Sequence, residues 1–84
     1  MVHREQLERY PGTLDELAGE VSDLRYDALV AFFQALAAKL TTDAIADQAR
    51  GRPRLAAALQ GGAAAVATAA AHIEKAWAIS SPHM

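Results

Sequence analysis

The run Arg50-Gly51-Arg52-Pro53-Arg54 is the one strong interruption in a long stretch of helix-forming sequence. Glycine suits the position just past a helix end and proline the first turn of the next helix. The break separates two apolar-striped segments, 24–50 and 53–79, of nearly equal length. Each spans about 40 Å at the α-helical rise of about 1.5 Å per residue. Two equal helices joined by a tight turn at 51–53 predict a long antiparallel helical hairpin.

Composition says what must hold such a hairpin together. Alanine supplies 21 of the 84 residues, against two Phe, two Tyr and one Trp. Alanine is the strongest helix former but buries little area. Local helix propensity is therefore abundant and large side chains are scarce. A chain this short gains stability by close helix packing or by association. The expected fold class is all-α: the hairpin plus a short N-terminal helix, dimerising into a helical bundle.

The formal charge of −2 does not favour nucleic-acid binding by bulk electrostatics. Absence of cysteine excludes disulfide scaffolds, cysteine zinc sites and thiol catalysis. The N-terminus is charged from His3 onward, without the apolar core of a signal peptide, and predicts a cytoplasmic location.

Residues 1–12 form an arm, with a short helix expected around Leu7 and a turn at Tyr10-Pro11-Gly12. Thr13-Leu14-Asp15-Glu16 matches a capping box, and Leu14, Leu17 and Val21 continue an apolar stripe, so 13–22 is a short helix. In 24–50, Leu29, Phe32, Phe33, Leu36 and Leu40 fall within roughly 100° of arc, the width of a core-facing stripe. Thr41-Thr42-Asp43 is a candidate kink or recapping site. In 53–79, Leu55, Leu59, Gly62, Val66, Ala69, Ile73 and Ala76 form a coiled-coil-like seam. A tail follows at 80–84. The hairpin would set Leu40 against Gly62-Ala63, Phe32 and Phe33 against Ala69–Ala71, and Tyr26 against Trp77.

Two short motifs point to chemistry. Arg50-Gly51-Arg52-Pro53 resembles the core of an AT-hook, which implies minor-groove DNA contact through Arg50, Arg52 and Arg54. The simpler reading is a Gly/Pro turn carrying solvated arginines. His72-Ile73-Glu74-Lys75 resembles the histidine-phosphotransfer signature, which implies a phosphoacceptor at His72 with Lys75 one turn away. Glu74 departs from that pattern and would repel phosphate, which favours a boundary histidine.

The uncharged run Leu55–Ile73 is long enough for a membrane span. Only four of its residues are Leu, Ile, Val or Phe, each worth roughly −0.3 to −0.6 kcal/mol of insertion energy. A soluble alanine-rich seam is the better reading. No set of residues has metal-ligand, nucleophile-elbow or phosphate-loop spacing, so neither cofactor nor catalysis is expected. The sequence points to a non-enzymatic interaction or scaffold module acting as a homodimer or on an unidentified protein partner. Its expected contact face is Leu29, Phe32, Phe33, Leu36 and Leu40.

Overall fold

The structure, a computed structural model, describes residues 3–83. The first two residues of the expected arm and the last of the expected tail lie outside the described residues. The chain is all-helical: α1 Leu14–Ser22, α2 Tyr26–Ala49 and α3 Pro53–Ser80, then a single 3-10 turn at Ser81–His83.

No helix forms around Leu7. Arg4 and Glu8 do pair at 2.8 Å, one helical turn apart in sequence. An isolated helix this short is marginal in water, and Pro11-Gly12 closes off its extension. The arm is tied down instead by Tyr10, whose hydroxyl donates to the Glu20 carboxylate of α1. The Tyr10 ring lies over Gly12 so closely that a Cβ there would come within 2.8 Å of it.

The capping box at the start of α1 is complete. The Glu16 amide donates to Thr13 Oγ1 at 3.1 Å, and the Thr13 amide donates to Glu16 Oε1 at 3.0 Å. The chain then breaks between Ser22 and Tyr26, making residues 13–50 two helices. Arg25 stands at the N-cap position of α2 without a side-chain capping bond, and its guanidinium instead grips Asp27 with two bonds of 2.6 and 2.8 Å. Thr41 and Thr42 do not interrupt α2, because their hydroxyls donate to the Ala37 and Ala38 carbonyls of the preceding turn.

At the other end, Gly51 adopts a φ of 76°. The Gly51 amide donates to the Gln48 carbonyl at 3.1 Å and the Arg52 amide to the Asp47 carbonyl at 2.9 Å. This is a Schellman motif, which satisfies carbonyls the helix end would otherwise leave unpaired. Pro53 then occupies the first turn of α3.

The two long helices pack along one another, while α1 barely touches either. In α2 the seam runs through Val30, Phe33, Ala37, Leu40, Ala44 and Asp47, alternating three- and four-residue steps. In α3 it runs through Ala56, Leu59, Ala63, Val66, Ala70 and Ile73 on the same alternation. Of the expected α3 seam, Leu59, Val66 and Ile73 lie half-buried between the buried Ala56, Ala63 and Ala70, and Gly62, Ala69 and Ala76 lie half-buried at its edge. Leu55 is exposed. Alanines at every seventh position let the backbones approach, and Leu40 reaches across to the edge of Gly62, 4.0 Å from where its Cβ would be.

Trp77 meets Arg25, the chain neighbour of Tyr26. The Arg25 guanidinium sits 5.5 Å from the ring centroid, while Tyr26 is exposed. A cation over an indole face is favourable, and Arg25 serves Asp27 at the same time. The enclosed hydrophobic core is small: Leu29, Val30 and four alanines. The molecule measures 50 × 29 × 14 Å, a flat slab with little interior.

Candidate functional site

The five residues expected to form one contact face divide between two environments. Leu29 is 8% exposed, and Phe33 and Leu40 are half-buried against α3. Phe32 and Leu36 are exposed, at 42% and 39%. The stripe is wider than one helix can cover, so its edge stays in solvent. The Phe32 and Phe33 rings lie 6.1 Å apart at a tilt of 51°, within the spacing of favourable aromatic pairs.

Position in the seven-residue repeat shows what accompanies Phe32 and Leu36. Near the turn, one cavity is lined by Asp43 and Ala46 of α2 with Leu55 and Leu59 of α3, and His3 of the arm closes it. On the opposite side, Ile45 and Gln48 share a groove with Ala57 and Gln60. Stepping back seven residues at a time from Asp43 and Ala46 reaches Leu36, Lys39 and Phe32. Stepping forward from Leu55 reaches Gly62, Ala69 and Ala76. One broad face thus carries Phe32 and Leu36 beside a row of small residues. Lys39 and Asp43 pair on that face at 2.6 Å. Leu55 lies on this face and not in the seam that the sequence predicts for it, because a one-row shift leaves the apolar pattern almost unchanged.

The arginine tip is built differently from an AT-hook core. That element is extended, whereas here Gly51 turns the chain and Pro53 is helical. Arg50 and Arg52 lean on Asp47 at 3.8 and 3.6 Å, and the Asp47 carboxylate is largely enclosed while both guanidinium groups are more than half exposed. Arg54 is exposed beside them. The tip sets two of its three arginines on one enclosed carboxylate and keeps an excess of positive charge.

His72 stands on the surface of α3, with Glu74 and Lys75 also exposed. It has no place in the seam. Among the described residues, no three His, Cys, Asp or Glu side chains cluster to hold a metal ion.

Three carboxyl or phenol groups are shifted by local bonds. Glu16 is held below the usual carboxylate range, first by the Thr13 amide and then by the Thr13 hydroxyl. Asp27 is lowered chiefly by its hydrogen bonds from Arg25. Tyr10 is raised, because its hydroxyl donates to Glu20. All three lie at the entrances of α1 and α2 or in the arm, away from the Phe32–Leu36 face. Glu16 and Asp27 shape helix starts, and Tyr10 holds the arm to α1.

No protein family, curated protein or solved structure matches the chain. By length and composition, Tyr26–Ala49 and Pro53–His83 are each apolar enough to cross a membrane, with mean hydropathy of 1.3 and 1.2.

Proposed function

We propose that this chain is a non-enzymatic protein–protein interaction module, in which α2 and α3 form an antiparallel hairpin that self-associates into a helical bundle. The observation that carries this reading is exposed area. The chain presents 6532 Å² to solvent. A compact monomer of its mass exposes about 4,800 Å², so about 1,700 Å² is in excess. Part of that excess belongs to the arm and to α1, which barely touches the hairpin; obligate dimers bury roughly 1,000–2,500 Å² per partner, a range the excess reaches. Sedimentation equilibrium of the full chain in detergent-free buffer tests the proposal. A dimer at micromolar concentration is expected, and a folded monomer throughout would overturn it.

A second reading has its own support in the hydropathy of the two long helices, which suits a membrane hairpin. Against it, Lys39 and Asp43 pair near the middle of α2, and charged groups at membrane depth are costly. We therefore favour a water-soluble, cytoplasmic module. Flotation with phosphatidylcholine vesicles separates the two, since the soluble module stays with the aqueous fraction.

A further inference from the structure

We infer that the second copy seats on the Phe32–Leu36 face, about a twofold axis parallel to the long helices, so that Phe32 of each copy covers Ala69 of the other. The inference rests on the self-association proposed above and adds the face and the register. The opposite face offers Ile45 as its one exposed bulky residue near the turn, set among Ala57, Gln48 and Gln60. The Phe32–Leu36 face offers two large neighbours one helical turn apart. Large side chains on a central patch, ringed by small and polar ones, are what an interface core needs.

Heights along the hairpin follow from the contacts. Leu40 lies level with Gly62 and Arg25 with Trp77. By the same count Phe32 is level with Ala69-Ala70, and Leu36 with Ala65-Val66. A twofold parallel to the helices carries α2 of one copy over α3 of the other at the same height. Phe32 then meets Ala69, Leu36 meets Ala65, and large side chains oppose small ones, as interdigitation requires. A twofold running across the helices would stack one α2 on the other. Bulky rows would then face each other or the Lys39–Asp43 pair, with poor packing and desolvated charge.

The test uses the full chain. Phe32→Lys and Leu36→Lys should each weaken dimerisation by about tenfold or more in sedimentation equilibrium, as loss of an interface anchor does. Ile45→Lys should leave it unchanged. All three sites are exposed in the single chain, and circular dichroism checks that helicity survives. Because the protein has no cysteine, register is read by mixing a Phe32→Cys chain with an Ala69→Cys chain under oxidising conditions, at a protein concentration at which sedimentation equilibrium shows the mixture still dimeric. A mixed disulfide is expected. A monomeric natural chain would remove both the self-association and this interface. A dimer broken by Ile45→Lys and not by Leu36→Lys would overturn the face while leaving self-association standing. A dimer sensitive to Leu36→Lys that forms no mixed disulfide would overturn the twofold.

Discussion

Replacing Gly61 and Gly62 by alanine tests which row of α3 touches α2. Both residues are interior to a 28-residue helix, where glycine costs about 0.8–1.0 kcal/mol relative to alanine. A Cβ at Gly61 meets nothing within 4 Å, and one at Gly62 meets only Leu40 Cδ1 at 4.0 Å, an ordinary contact. Neither substitution has a steric term to offset the propensity gain. Each should therefore stabilise by about 1 kcal/mol, and the pair by about 2 kcal/mol. For a domain of this size that raises Tm by about 4–8 °C per kcal/mol. Urea and thermal melts followed by circular dichroism measure it, at several protein concentrations so that association is separated from folding. Destabilisation by Gly62→Ala alongside stabilisation by Gly61→Ala would refute the reasoning. It would mean that α2 lies against the row of Leu55, Gly62 and Ala69, and that Ala56, Ala63 and Ala70 are not the seam.

Three further outcomes follow from named contacts. Gly51→Ala forces a left-handed conformation on a residue with a Cβ and should cost about 1–2 kcal/mol, read by the same melts. Because the folded Glu16 carboxyl is held below its ordinary value, the capping-box contribution is full above the normal carboxylate range and is lost as pH falls through the folded value. An NMR titration should show the α1 amides shifting on the acid side of the reference glutamate, and Thr13→Ala should reduce that offset without removing it, because the amide of residue 13 still donates to the carboxylate. Arg25→Ala removes the cation from the Trp77 face, so the emission of this single tryptophan should change while far-ultraviolet helicity is kept.

Local signals were legible in the amino-acid sequence where a residue type has one physical use. Thr13 and Glu16 form their reciprocal cap, and Gly51 and Pro53 make the helix break, because few conformations suit them. Lateral placement was harder to read. With alanine at most positions of α3, two adjacent rows have nearly the same hydropathy, and nothing in the pattern distinguishes Ala63 from Gly62 as the buried one. Only the folded arrangement distinguishes them: Ala63 is buried, while Gly62 is half-buried at the edge that Leu40 reaches. In α2 the opposite difficulty arises, since Phe32 and Phe33 are equally apolar and only the direction of α3 decides which is covered. The Arg25–Trp77 contact was missed because hydropathy treats arginine as a surface residue and ignores its affinity for an indole face.

The corner at Gly51 also bears on how fast the protein acquires its structure. Asp47 and Arg52 close the shortest length of chain, Leu40 and Gly62 a longer one, and Arg25 and Trp77 the longest. Each contact made near the corner shortens the loop the next must close, so assembly can zip outward from that end with little entropic barrier at any step. Helical chains rich in such near-neighbour contacts fold within microseconds to milliseconds. The corner is therefore a kinetic starting point, and slowing it should delay the whole chain.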